Sequence, residues 1–169
     1  DLPQTQALDQ GVERMGHVIE QILSLNRTNP ESYQQRFKEV DLDALVRQQI
    51  GDIYPRLEDK NQQIAFHGNN LKIQGDASAL GILIFNLLNN CNKYIPREAR
   101  IEIHTQQTKA GNHLIVEDSG HGIAPEERDN VFQRFYRVGG DQHASNEPGC
   151  GLGLAIIKQI VELHQADIE

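Results

Sequence analysis

Apolar positions near the start of the chain fall at helical spacing. Leu8, Val12, Met15, Ile19, Ile22 and Asn26 step by alternating fours and threes, and Val18, Leu23 and Leu25 widen the stripe. That period predicts a helix over roughly residues 5–27, patterned for a bundle or coiled coil. Such a helix must bury its stripe against partner helices, or pack on its own domain; the pattern leaves both open. Residues 28–40 are polar and include Pro30, which reads as a linker and domain boundary. Asp41 then caps a helix with Leu42, Leu45, Val46, Ile50 and Ile53 on one face. Residues 63–67 and 71–74 read as strands. Asp76 caps a second helix. Residues 100–106 and 113–117 pair as a predicted antiparallel hairpin around Lys109, Ala110, Gly111 and Asn112. Pro125 starts a short helix, with Glu126 and Glu127 in its first turn where the helix dipole favours acids. Residues 138–150 are polar and glycine-rich without apolar period, which predicts a mobile loop, and the last helix runs from the glycines after it through Leu163. No internal repeat is present.

The second predicted helix carries the most unusual stretch, Asn86-Leu87-Leu88-Asn89-Asn90-Cys91-Asn92-Lys93-Tyr94. At about 3.6 residues per turn, Asn86, Asn90 and Lys93 fall within roughly 60° of one another. Leu80, Leu83, Ile84, Leu87 and Cys91 form the neighbouring apolar stripe. One side is therefore buried, and the other presents two carboxamides and an ammonium. A carboxamide oxygen is a neutral hard ligand suited to Mg²⁺, and an ammonium neutralises phosphate as a point charge.

Charge and composition narrow the partners. The net charge is −8 and no Lys/Arg cluster exists, which argues against a nucleic-acid surface. The two cysteines sit in unlike contexts, Cys91 on an apolar helix face and Cys150 among glycines, and are expected to be reduced thiols. The seven histidines show no metal-ligand spacing along the chain, so no zinc site is expected from spacing. The longest nearly apolar run, Leu80 to Leu88, is too short to span a bilayer, so no membrane contact is expected from this chain.

Three further motifs bear on a ligand. Asp118 stands at a strand end in Asp118-Ser119-Gly120-His121-Gly122-Ile123. Its carboxylate suits an exocyclic amino group such as that of adenine, and the glycines let backbone approach a flat ring, although an ordinary Asp-Gly turn has the same sequence. Gly149, Gly151 and Gly153 precede a helix whose first N–H groups suit phosphate. A long polar loop precedes these glycines rather than a strand, which excludes a dinucleotide fingerprint, and the spacing misses the Walker lysine pattern. A loop closing over a triphosphate fits better. Arg137 ends the cluster Phe132-Gln133-Arg134-Phe135-Tyr136-Arg137 and suits bidentate phosphate binding; Arg134 could do the same or solvate the helix. Phe132 and Phe135, at i and i+3, are expected in the core.

The order of these four motifs resembles the ATP-binding catalytic domain of sensor histidine kinases, in the gyrase–Hsp90–kinase–mismatch-repair ATPase superfamily. The resemblance covers nearly the whole chain. Residues 41–169 are similar to the catalytic domain, and residues 1–27 look like the second helix of the dimerisation and phosphotransfer domain. It implies an α/β (α+β) fold, a two-layer sandwich of helices on a mixed sheet preceded by one bundle-forming helix. It also implies ATP and Mg²⁺ as cofactors. Asn90 would coordinate Mg²⁺, Asn86 would support the phosphates or the metal shell, Lys93 would contact phosphate and Tyr94 would line the site. Asp118 would bind the adenine amino group, with Gly120, Gly122 and Ile123 along that wall. Arg137 and Arg134 would reach phosphate, and Gly149, Gly151, Leu152, Gly153 and Leu154 would anchor the lid.

The family phosphoacceptor, a histidine followed by an acid, has no match among the seven histidines, so no catalytic residue is assigned. The family also continues through further strands, so its C-terminal strands are expected to be missing here. Superfamily members that hydrolyse ATP carry a glutamate base in the asparagine-rich helix; position 86 is Asn, which takes no proton at neutral pH. The implied function is transfer of the γ-phosphoryl group to a histidine outside this chain and thence to a response-regulator aspartate. The implied partners are that regulator, a phosphotransfer helix and a second protomer, and the implied location is the cytoplasmic portion of a bacterial inner-membrane receptor. The alternatives are a catalytically silent nucleotide-binding or dimerisation module and an anti-sigma-type serine kinase.

Overall fold

A computed structural model describes residues 33–35, 37–138 and 151–169. The predicted helix over 5–27, residues 28–32 and 36 of the linker, all but the first residue of the predicted loop, and with them Gly149 and Cys150, lie outside the described residues. The described residues divide into two compact units, one over Arg36–Gly122 and the other including everything from Ile123 onward.

The first unit runs β1 (Lys38–Asp41), α1 (Leu42–Asp59), β2 (Gln63–His67), β3 (Lys72–Gly75), α2 (Ala77–Tyr94), β4 (Arg100–Thr108) and β5 (Gly111–Asp118). β4 is central, parallel to β2 and antiparallel to β5, so the three-stranded sheet is mixed. β1 and β3 form a separate antiparallel pair. Both helices start where an aspartate satisfies their first amides. Asp41 accepts from Ala44 N at 2.9 Å, and Asp76 accepts from Ser78 N at 2.9 Å and Ala79 N at 3.1 Å. α1 packs on α2. Alternation along β4 turns Ile101, Ile103 and Thr105 to the buried side, and Val46, Ile53, Leu57, Ile84 and Leu88 complete the interior.

The chain departs from expectation in two places, at β1 and at the hairpin turn. Residues 38–40, read as linker, form β1. The segment holds one apolar residue, Val40, and is a strand because β3 pairs with it, Val40 opposite Ile73. The hairpin is tighter than expected, since Gly111 and Asn112 already belong to β5. The last helix, α3, begins at Gly153 and ends at Leu163.

A buried carboxylate ties three elements together. Asp43, in the first turn of α1, accepts from Thr105 Oγ1 at 2.7 Å, Asn70 N at 2.8 Å and Leu71 N at 3.2 Å. Burial alone would raise its pKa. The hydrogen bonds and the nearby Arg47 charge outweigh burial and hold the carboxyl below its ordinary value. A Cβ on Gly68 would lie 2.1 Å from Asp43 Oδ2, so the chain passes this point only as glycine.

In the second unit, Pro125–Glu127 form a single 3₁₀ turn, and α3 buries Ala155, Ile156, Ile157 and Ile160. Tyr136 donates its hydroxyl to Glu127, and this hydrogen bond raises the phenol's pKa. Among the described residues no helix is long and apolar enough to cross a membrane.

Candidate functional site: an amide-bearing helix beside the Asp118 turn

The four asparagines of α2 divide between two tasks. Asn86 and Asn90 are half-buried on one face with Lys93, as the helical spacing requires. Asn86 Nδ2 donates to Ile82 O at 2.8 Å. That bond commits its nitrogen to the helix and leaves its oxygen as the end that can take a cation or a donor. Asn89 and Asn92 lie roughly 70° and 130° further round and are buried. Asn89 Oδ1 accepts from Arg56 Nη1 at 3.0 Å. Asn92 Nδ2 donates to Gln62 Oε1 at 2.8 Å and Arg56 O at 3.1 Å. Gln62 Nε2 returns to the carbonyls of Asn92, Ile95 and Pro96 at 3.0 to 3.3 Å. Sequence reasoning missed this second pair. The available signal was angular, since both residues point away from the Asn86 face.

The buried arc of α2 also differs in detail from the expected stripe. Leu88 is fully buried, whereas Leu87 is half-buried. Gly81 lies on the buried arc, where Leu45 and Gln49 of α1 approach to 3.6 and 3.7 Å of the position a Cβ would take.

Asp118 comes to the same helix. Its Oδ2 lies 3.9 Å from Cys91 Sγ, and its Oδ1 accepts from Gly120 N at 2.8 Å. This Asx turn holds the carboxylate at the end of β5. A Cβ on Gly120 would meet Asp118 Oδ1 at 2.8 Å and Ile95 Cγ2 at 3.0 Å. Gly122 has φ +69°, a conformation that glycine adopts without strain. Burial, then the Asp118 charge and hydrogen bond, push the Cys91 thiol up to about 12. Cys91 is therefore a neutral donor at physiological pH, and iodoacetamide at pH 8 is expected to leave it unmodified in the folded chain and to alkylate it fully in urea. Peptide mapping of alkylation checks this, and rapid labelling of native Cys91 contradicts it.

The structure thus places Asn86, Asn90, Lys93 and Tyr94 on α2, and Asp118 and Gly120 against Cys91 and Ile95 at the C-terminal end of that helix, all within the first unit, with Gly122 at its end. Ile123, Arg134, Arg137, Gly151, Leu152, Gly153 and Leu154 belong to the second unit. There, Gly151 has φ +71°, and an added Cβ would lie 2.8 Å from the Phe135 carbonyl carbon and the Tyr136 oxygen. Phe135 N donates to Gly151 O at 3.1 Å. Unlike α1 and α2, α3 has an apolar N-cap residue, Leu152, whose side chain makes no capping bond, and among the described residues that end suits an outside acceptor. Phe135, expected in the core, is 66% exposed. Its φ of +63° turns the chain toward Gly151 and overrides the i, i+3 spacing with Phe132 that a helix would have used.

A cleft of about 600 Å³ lies elsewhere, lined by β1, β3 and the first residues of α1 and α2, among them Asp41, Ala44, Gln48, Asp76 and Ser78. It is at the other end of α2 from Asn90, roughly 20 Å away along the axis.

Comparison with known proteins identifies the family. Residues 75–169 match the family described as histidine kinase-, DNA gyrase B- and HSP90-like ATPase. The chain is 32% identical over 161 residues to the sensor protein kinase PmrB of Pseudomonas aeruginosa, covering 95% of this chain and 33% of that protein. It is 29% identical over 164 residues to the sensor protein QseC of Escherichia coli, covering 96% and 35%. The chain therefore spans about a third of the length of these curated relatives. Among solved structures, the mycobacterial sensor histidine kinase MprB superposes with a TM-score of 0.67 at 32% identity, covering 76% of this chain and 80% of that one. By this match, which takes in more than half its length, the chain belongs to the histidine kinase-, DNA gyrase B- and HSP90-like ATPase family, and its relatives there are sensor histidine kinases.

Proposed function

We propose that this chain is the nucleotide-binding catalytic core of a two-component sensor histidine kinase. The γ-phosphoryl group of ATP passes to a histidine outside this chain and then to an aspartate of a response regulator. The observation that carries this reading is the Cys91–Asp118 contact. It fixes a carboxylate suited to adenine beside a helix face suited to phosphate.

In this reading Asp118 accepts from the adenine amino group, and Gly120 and Gly122 leave room for the ring. Tyr94 and Ile123 offer exposed apolar surface to the base. Lys93 and Asn86 serve the phosphates. The oxygen-only donor set of Asn90 and Asn86 fits Mg²⁺, with Asn90 as its ligand; when bound, the ion neutralises phosphate charge. Arg137 and Arg134 supply guanidinium groups for the γ-phosphate. Gly149, Gly151, Leu152, Gly153 and Leu154 supply backbone amides at the start of α3. Asn86 takes no proton from water, so the site positions and stabilises the phosphoryl group and waits for an imidazole nucleophile.

The wider organisation belongs to the same proposal. Residues 1–27 supply a helix of a dimerisation and phosphotransfer bundle, residues 28–37 connect it, a second protomer completes the bundle, and the assembly sits on the cytoplasmic side of the bacterial inner membrane. The named relatives are all sensor kinases, which favours this reading over a silent module or an anti-sigma-type serine kinase.

Calorimetric titration with Mg-ATP tests the site. Asn90→Ala is expected to lower affinity tenfold or more, about 1.4 kcal/mol. Equal affinity in the variant overturns the metal role. Incubation with γ-labelled ATP and a separately prepared phosphoacceptor domain is expected to label histidine in that domain. Release of free phosphate without an acceptor overturns the transfer reading.

A further inference from the structure

The strand pairing assembles a cluster that spacing along the chain concealed. His67 ends β2 and lies opposite His104 of β4 in the parallel register. Their rings stack with centroids 4.6 Å apart and planes 15° from parallel. Glu102 is two residues before His104 on the same face of β4. His104 Nε2 lies 3.7 Å from Glu102 Oε2 and 3.9 Å from Glu117 Oε2 on β5. One ligand atom from each of His67, Glu102 and His104 falls within 4.8 Å of the others.

We propose that His67, His104 and Glu102 bind one divalent transition-metal cation of the zinc class, with Glu117 as the adjoining carboxylate. Two imidazoles and a carboxylate form a donor set that Zn²⁺ accepts readily, leaving one position for water. Metal–ligand bonds near 2.1 Å put tetrahedral donors about 3.4 Å apart, so side-chain rotation of about 1 Å closes the set.

A second observation also calls for a cation. Glu102 and Glu117 are directly opposite across β4 and β5, where like charges repel. Arg100 Nη1 reaches only one oxygen, Glu102 Oε1, at 3.5 Å. The cluster lies on the face of the sheet away from the buried Ile101 and Ile103. Asp118 pairs with Ile101 and shares the buried-side face, so the metal and the nucleotide occupy opposite faces.

Titration of the untagged full chain with zinc chloride, in buffer free of phosphate and thiols, tests this. One equivalent is expected to bind, with and without saturating Mg-ADP. His67→Ala with His104→Ala is expected to lower affinity at least tenfold, and His113→Ala with His121→Ala is expected to leave it unchanged. Circular dichroism in the absence of metal checks that each variant folds. A second measurement needs no variant. Co²⁺ added to the wild-type chain is expected to broaden the NMR signals of His67 and His104 first. The absence of saturable zinc binding, full affinity in the His67/His104 variant, competition by Mg-ADP, or broadening centred on other histidines overturns the site.

Discussion

Asp118→Ala is expected to weaken ATP binding about thirtyfold, about 2 kcal/mol, while the chain stays folded. A hydrogen bond to a charged group contributes about 1.5–3 kcal/mol, and the residue is exposed at a strand end. Truncation also removes the acceptor of the Cys91 thiol and of Gly120 N, so a fall in affinity alone does not identify the base contact. Inosine triphosphate resolves this, because it carries a carbonyl where adenine carries its amino group. Wild-type chain is expected to prefer ATP over inosine triphosphate by about the same thirtyfold factor, and Asp118→Ala to lose most of that preference. Competition titrations with both nucleotides on both chains complete the cycle. Parallel losses for the two nucleotides mean that Asp118 shapes the turn and does not read the base.

The largest effect on stability is expected at Asp43. Asp43→Ala leaves the Thr105 hydroxyl and the amides of Asn70 and Leu71 without their acceptor. An unmet buried donor costs about 1–3 kcal/mol, and partial entry of water at the new hole reduces the sum, so a loss of about 3 kcal/mol is expected by urea denaturation. Asp43→Asn isolates the charge. The folded carboxyl has a lowered pKa, so folding favours its ionised form. That contribution is fully present above the ordinary value of 3.8 and is lost as pH falls through the lower folded value. The stability gap between wild type and Asp43→Asn is therefore expected to be constant near neutrality and to close below about pH 4. Urea midpoints measured from pH 7 downward check it; a gap that widens on acidification contradicts the assignment.

Both helix starts were legible because an aspartate advertises its capping role locally, at Asp41 and at Asp76. β2 was legible for the same kind of reason, a compact run of strand-forming residues. What escaped needed partners distant in sequence. β1 is a strand only because β3 is beside it. Asn89 and Asn92 carried no reading of their own, because their partners Arg56 and Gln62 stand 30 or more positions earlier. The spacing of Phe132 and Phe135 presumed a helix, and the left-handed backbone at Phe135 removed it. Histidines on two strands carry no linear signature, so His67 and His104 were met only in the register. The Asn86 face, by contrast, followed from the period of one helix, which is why that part of the candidate site was legible in the sequence.

The bonds from Arg56 and Gln62 to the rear of α2 set the rotational phase of that helix before any nucleotide arrives. Alignment of the Asn86 and Asn90 face is thus settled during folding, by residues packed on the opposite side of the helix. A substitution at Arg56 or Gln62 would consequently mimic damage to the binding pocket in an affinity assay, and a screen for inhibitors of this chain could succeed by loosening the helix from behind.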